Sequence, residues 1–351
     1  MRRALNWILA ALALLVMAGA IAWKRRPVKN EACETTARLL ASRRADYMLA
    51  LRKATTWIDA LPVDPVQLRA RGQKGKKHFT EALTAYWRLY RVAGEAERPA
   101  VLAKVRRLTE ITTGADYHDM ATNSDDAFKQ DATSYLRAAL LMEGMGLDTA
   151  RYREEIARIH QRLNAHMEKR GVHQRMVFAW YYRHFGLSEP FPLAAAFANG
   201  IIARRVAPAA LQKREIYDLT HEIFGPYEYG DRLEADPFTV EEKRYLLETL
   251  PVLVELRIAR GDPDLVAELV ACLRELRFTG VPAYRQGIEY LLCAQRADGA
   301  WGHYEQYRKR LRDLVEPAYV LHTTMVAIDA LTLAFHEPWN SGSAPWCVHA
   351  P

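Results

Sequence analysis

Apolar residues recur along this chain at the spacing of an amphipathic α-helix. In residues 247–258 they lie three, four and four positions apart, and in residues 325–335 three, three and four apart. Such spacing places the apolar side chains on one face of a helix. The strict apolar–polar alternation and β-branched enrichment typical of strands are missing from the chain. The pattern therefore predicts an all-α protein.

Glycine and proline divide the body of the chain into helix-sized segments. Examples are Gly186 and Gly261 at predicted helix ends, and Pro263 and Pro282 at predicted helix starts. Division at such points gives about twelve helices, each of about 15 to 25 residues. These would form six hairpins, the number that a closed α/α barrel needs. The alternative is an open solenoid of stacked helix pairs, although no repeat of fixed period is visible.

The amino terminus has the features of a membrane segment. Residues 4–23 carry no charge, and Trp7 and Trp23 lie near the two ends of the run. About 20 helical residues span roughly 30 Å, the thickness of a hydrocarbon core. We predict an anchor over residues 1–29, with a body on the extracytoplasmic side. A cleaved signal peptide is the alternative, because small residues at 18–22 offer cleavage sites.

We expect one domain over residues 30–336 and an irregular tail over 337–351. The formal net charge of +7 comes mainly from residues 1–29, which hold six basic and no acidic residues. The remainder has 43 basic and 42 acidic residues, so the body gives no indication of nucleic-acid binding. The cysteines lack metal-ligand or redox spacing, and Cys272 and Cys293 are expected to be buried. No metal or cofactor is predicted.

One turn carries a resemblance to a known architecture. Its residues are Gln295, Asp298, Gly299 and Trp301, preceded by Gly287 and followed by a helix that begins at 321–324. The stretch 285–335 resembles a repeat of the terpene cyclase and protein prenyltransferase type of α/α toroid. The resemblance implies a toroid in which this turn has a structural role, tying itself to a neighbouring helix.

The catalytic motifs of that superfamily do not accompany the turn. Residues 123–126 have an amide where protonating cyclases carry the first acid, and 125–129 break the magnesium-binding acidic run. No zinc set of Asp, Cys and His has matching spacing. Residues 220–224, with the toroid-like carboxyl end, also resemble uncharacterised bacterial membrane-anchored proteins, which implies no activity.

A first candidate site is the group Asp218, His221 and Glu222. These positions are neighbours on one face of a helix, so a carboxylate can orient the histidine as an acid or base. Tyr227 and Tyr229 follow closely and suit a sugar or another ring-bearing ligand. The alternative is a solvated helix end with a hydrogen-bonded histidine.

A second candidate is His322 with Asp329, two helical turns apart on one face of an apolar helix. His303 and Tyr304 follow the tryptophan turn and could approach the same end of the barrel. The alternative is a buried histidine that bonds to a neighbouring hairpin. Oxygen-rich residues at 116–126 could hold calcium, but their spacing differs from the standard loop, and Ser124 is also typical of a helix cap.

The leading hypothesis is an enzyme that acts on a glycan or a similar polar polymer at the cell envelope, by analogy with other helical toroids. In it, His221 is the acid or base, Asp218 or Glu222 is its partner, and His322 is a second cavity group. A non-catalytic scaffold that binds a protein or peptide is the second hypothesis. A terpenoid-processing enzyme, which predicts an apolar cavity, is the third.

Overall fold

A computed structural model describes residues 31–61, 63–70, 74–302 and 318–333. All regular secondary structure within these residues is helical, which confirms the predicted class. The fourteen α-helices are α1 (Glu31–Asp59), α2 (Pro65–Ala70), α3 (Gly75–Val92), α4 (Arg98–Glu110), α5 (Asp125–Gly144), α6 (Ala150–Arg158), α7 (His160–Met167), α8 (Val172–Phe185), α9 (Ile201–Arg204), α10 (Lys213–Phe224), α11 (Val240–Ala259), α12 (Pro263–Glu275), α13 (Pro282–Ala294) and α14 (Ala318–Leu333). Short 3₁₀ turns, Leu193–Asn199 and Pro208–Ala210, flank α9.

Six of these helices have a packing order that returns to its start. α3 packs against α5, α5 against α8, α8 against α10, α10 against α12, α12 against α14, and α14 against α3. Other helices pack against these six: α2 and α4 on α3, α6 on α5, α9 on α10, and α11 and α13 on α12; α1 packs on α13 and α14. We call the first six the ring helices.

The helix boundaries follow from local chemistry. Ser124 accepts a hydrogen bond from the Ala127 amide and caps α5, as its position before two acids indicated. Gly186 ends α8 in the left-handed conformation, with φ 65°. Pro263 and Pro282 open α12 and α13 as predicted, because a proline in the first turn lacks only an N–H that the helix leaves unpaired.

The turn after α13 joins the two ends of the described chain. The Gln295 side-chain amide donates to the Ala50 carbonyl of α1 at 2.8 Å and to the Gly299 carbonyl at 2.9 Å. Gly299 has φ 99°, and a Cβ there would lie 2.4 Å from the Lys53 carbonyl oxygen. Only glycine fits this close approach.

Trp301 fixes the same turn from the other side. Its side chain is fully buried, and the indole N–H donates to the Leu291 carbonyl of α13 at 2.7 Å. Its backbone N–H donates to the Thr324 hydroxyl of α14 at 3.0 Å. Asp298 receives the Ala300 amide and pairs with Arg296. These contacts bind α1, α13 and α14 together.

No helix in the described ranges combines the length and apolar composition needed to cross a bilayer. The predicted span, residues 4–23, lies outside those ranges, and so do residues 337–351. Cys272 is buried as expected, but Cys293 is exposed near the end of α13, which corrects the expectation that both are core thiols.

Candidate functional site

His322 on α14 is the centre of a charged cluster built by several ring helices. Its Nδ1 lies 2.8 Å from Glu81 Oε1 of α3. Its Nε2 lies 3.6 Å from Glu268 Oε1 and 3.9 Å from Asp264 Oδ1, both on α12. The three carboxylates are buried, whereas the His322 side chain is 32% exposed. The cluster is therefore accessible through the histidine.

The charges of this cluster hold His322 and Glu81 ionised. Burial alone would lower the His322 pKa, but the Asp264 charge and hydrogen bonds to Glu268 and Glu81 raise it to about 10. Burial would raise the Glu81 pKa, but the Lys77 ammonium and the histidine hydrogen bonds have the larger, opposite effect. The Glu81 pKa therefore lies well below its usual range. At neutral pH, His322 is thus an imidazolium whose two ring nitrogens both donate.

Hydroxyl groups from two helices orient the carboxylates. The Tyr217 hydroxyl of α10 donates to Asp264 Oδ2, and the Thr323 hydroxyl donates to Asp264 Oδ1 at 3.1 Å. The Thr220 hydroxyl donates to Glu268 Oε2 at 2.5 Å. Glu268 is therefore held through the oxygen that faces away from His322, and both oxygens of Asp264 accept a hydroxyl, which is the arrangement of a preorganised polar site.

His221 lies beside this cluster, but not with the partners that the sequence suggested. Its Nδ1 is 2.8 Å from the Tyr217 carbonyl oxygen, and a positive charge on its ring would lower the pKa of Glu268. Asp218 instead lies 3.1 Å from Nδ1 of His173 on α8. The carbonyl bond favours the tautomer with the proton on Nδ1, which leaves the Nε2 lone pair free.

Glu222 has a structural role in place of the predicted one. Its carboxylate accepts hydrogen bonds from the amides of Ile201 at 2.8 Å and Ile202 at 3.0 Å, at the start of α9. Gly200 makes room for it, since a Cβ there would lie 2.5 Å from Glu222 Oε2. The prediction that Asp218 or Glu222 orients His221 is wrong, because each carboxylate is engaged by a group from another segment.

Asp329 belongs to a second charged group, deeper along the ring helices. Its Oδ1 lies 2.5 Å from Arg88 Nε, and Arg88 Nη1 lies 2.7 Å from Asp231 Oδ1. Glu275 is fully buried nearby, and among the described residues neither of its carboxyl oxygens has a hydrogen-bond partner. Burial, with the Asp329 charge, raises the Glu275 pKa well above its usual range. His322 and Asp329 share a face of α14 but lie about 10 Å apart along it.

The predicted tyrosines take packing positions. Tyr227 is buried against Phe238. Tyr229 adopts a left-handed backbone with φ 55°, and its ring lies 4.4 Å from the Arg137 guanidinium and 6.2 Å from the His221 ring. Tyr229 thus lies close to a candidate residue, whereas Tyr227 supports the fold. His303 and Tyr304 lie outside the described residues.

Two of the acidic residues of 116–126, Asp119 and Asp125, pair with cations. Asp119 binds Arg69 and lies 2.7 Å from Lys76 Nζ. Asp125 lies 2.8 Å from Arg162. Within the ranges that the structure describes, no group of three His, Cys, Asp or Glu side chains could hold a metal ion.

The acidic members of the His322 cluster were not predicted from the sequence; they are Glu81, Asp264 and Glu268. A signal was present for α12, because Asp264 and Glu268 lie one helical turn apart in a segment rich in Leu and Val. Acidic residues on one stripe of an otherwise apolar helix indicate a polar interior. Glu81 carries no comparable signal in the mixed sequence of α3.

Comparisons with known proteins give a family and no activity. No curated protein and no solved structure matches the chain. Residues 50–332, most of the chain, match a family described as a domain of unknown function (DUF6895). That range begins within α1 and ends within α14, so it includes every ring helix. The chain belongs to the DUF6895 family.

Proposed function

We propose that the chain is an α/α toroid with a site around His322. This site binds and chemically modifies a glycan or a similar polar polymer. The toroid is supported by the packing order of the ring helices, which returns from α14 to α3. It is also supported by charged stripes on three of them. Lys77, Glu81 and Arg88 lie on one face of α3, and α12 and α14 carry equivalent stripes.

The observation that carries the proposal is the convergence on His322 of carboxylates from two other ring helices, at 2.8 and 3.6 Å, while the histidine remains partly exposed. Three carboxylates, an imidazolium and the Lys77 ammonium form a dense array of charged acceptors and donors. Such an array suits a ligand that has many hydroxyl groups, because each hydroxyl can both donate and accept.

The two histidines take different roles in this proposal. His322 keeps its proton at neutral pH, so it acts as a fixed cation that binds the ligand and stabilises developing negative charge. His221 is the base, because its bond to the Tyr217 carbonyl leaves Nε2 free to accept a proton. Glu268, beside both histidines, would stabilise His221 when it becomes charged.

The alternatives predict other features. A terpenoid-processing enzyme needs an apolar cavity, but the ring helices turn Arg88, Asp329 and Glu275 inward together. A protein-binding scaffold needs a contiguous apolar patch. The large exposed apolar side chains of the described residues are spread over three helices, as Leu49, Val66, Val240 and Val252, and single exposed apolar residues are normal.

We further propose that residues 4–23 anchor this toroid in a membrane with the body on the extracytoplasmic side. The support is the uncharged run between basic flanks, with a tryptophan near each end. A polymer of the cell envelope would then be within reach of the His322 cluster.

The experiment is a screen of the full-length protein against neutral, amino and uronate oligosaccharides, read both as retention and as product formation. We expect His322→Gln to weaken binding and His221→Gln to abolish turnover while binding persists. His184→Ala is the matched control, because His184 is also 32% exposed and lies 2.8 Å from a glutamate, Glu143. The proposal fails if no oligosaccharide is bound or changed, or if His322→Gln and His184→Ala behave alike.

A further inference from the structure

A cleft of about 460 Å³ lies behind α3, on the side away from the ring interior. Ala82 and Tyr86 of α3 line it, whereas Glu81 and Arg88 lie on the opposite face of the same helix. At 100° per residue the two faces are about 130° apart. The cleft is therefore a different site from the His322 cluster, and its volume falls in the range of small-ligand pockets.

About half of the wall of this cleft is apolar. Ile58 at the end of α1 and Ala82 of α3 are buried, and Leu108 and Ile111 of α4 are half-buried. An apolar group placed here would displace water mainly from Leu108 and Ile111, which is favourable at roughly 25 cal/mol per Å².

All but one of the charged groups that line the cleft have polar partners within the described residues. Asp59 accepts hydrogen bonds from the Tyr86 hydroxyl and from Lys104, so these three are paired. Asp64 accepts two backbone amides of α2. Arg107 is exposed and lines the cleft, and it makes no ion pair among the described residues. A guanidinium beside an apolar wall is a receptor for a carboxylate, which it can bind with two parallel hydrogen bonds.

We infer that this cleft binds an amphipathic monocarboxylate, with its apolar body against Ile58, Leu108 and Ile111 and its carboxylate on Arg107. Lys104 adds a second positive charge to the carboxylate end, and Asp59 opposes it. This charge pattern gives the site a preference for an anion over a neutral or cationic ligand of the same shape.

The test measures binding of 4-phenylbutyrate to the full-length protein by saturation-transfer NMR and equilibrium dialysis. The neutral 4-phenylbutanol and the cationic 4-phenylbutylamine are the matched ligands. We expect saturable binding of the carboxylate only. Arg107→Ala should raise its Kd at least about tenfold, because charged bidentate bonds are the strongest that a surface offers. Arg106→Ala is the control, since Arg106 is the exposed neighbour on α4 and does not line the cleft.

Asp59→Asn should change the Kd of 4-phenylbutyrate in the opposite direction to Arg107→Ala. It removes the acid that opposes a bound carboxylate and releases Lys104, so the Kd should fall by about three- to tenfold. A purely structural role of these residues would not tighten binding. The inference is overturned by the absence of saturable binding, by equal binding of the alcohol, or by equal effects of Arg106→Ala and Arg107→Ala. None of these outcomes bears on the His322 proposal, because the oligosaccharide screen is read separately.

Discussion

The charge state of His322 can be tested without knowledge of any ligand. Its pKa of about 10 in the folded protein compares with 6.5 for the ordinary side chain. Such a rise corresponds to at most about 5 kcal/mol in favour of the folded state. Because about a third of the side chain reaches water, which screens the charges, we expect about half of that, on the order of 2–3 kcal/mol.

The direction of the pKa shift determines the pH range over which His322 stabilises the folded protein. A histidine with a raised folded pKa contributes its full stability below the unfolded value of 6.5, and the contribution is lost as pH rises to about 10. We compare the native protein with His322→Gln, which keeps a polar side chain but cannot carry charge. The difference in their free energies of unfolding should shrink by about 1–2 kcal/mol between pH 7 and pH 9.5.

The assay is urea denaturation at a series of pH values, together with NMR titration of the histidine ring protons. Lysines and tyrosines also titrate in this range. Their contribution cancels when the native protein and His322→Gln are compared, because both proteins contain them. His184→Gln supplies a reference with the same exposure and a single glutamate partner. A His322 resonance that titrates near pH 6.5, or a stability difference that stays constant across the range, would refute the electrostatic account of this cluster.

Two further predictions concern residues that hold the fold. Glu222→Ala should lower the free energy of unfolding by about 1–3 kcal/mol, because it leaves two buried amides at the start of α9 unpaired. Thermal unfolding measures this change. A change within experimental error would contradict the capping role of Glu222. Gly299→Ala should cost about 3 kcal/mol or more, since the new Cβ would meet the Lys53 carbonyl in addition to the strain of a positive φ. Gly146→Ala isolates the strain, because Gly146 has φ 73° and open space around it, and it should cost only about 1–2 kcal/mol; equal losses in the two variants would mean that the close approach to α1 is unimportant.

The helical class and several helix ends could be predicted because they depend on local signals. Ser124 before two acids, and Pro263 at the first turn of α12, act through the backbone within a few residues of themselves. The turn at Gln295 was also recognisable, since its residue types are adjacent in sequence. Its partner Ala50 was not, because a hydrogen bond to a carbonyl carries no mark in the sequence of the acceptor.

The candidate site was predictable only in its histidines. His322 stands out as a polar residue in an apolar helix and His221 as a histidine between carboxylates, and both act on Glu268 in the structure. Their partners come from helices far away in the chain, so the nearest carboxylate in sequence was a poor guide. Glu222, one residue after His221, binds the start of α9, and this contact depends on how α9 and α10 pack.

The hydrogen bond from Gln295 to Ala50 joins residues 245 positions apart. At about 5–20 residues per second, a ribosome needs roughly 12–50 s to make the intervening chain. Throughout that time, the face of α1 that packs against α13 and α14 has no partner, because α1 leaves the ribosome before either of them. Nascent chains that stop before residue 295 would therefore expose the apolar face of α1 that completed molecules cover, and exposed apolar surface of this kind is what chaperones bind.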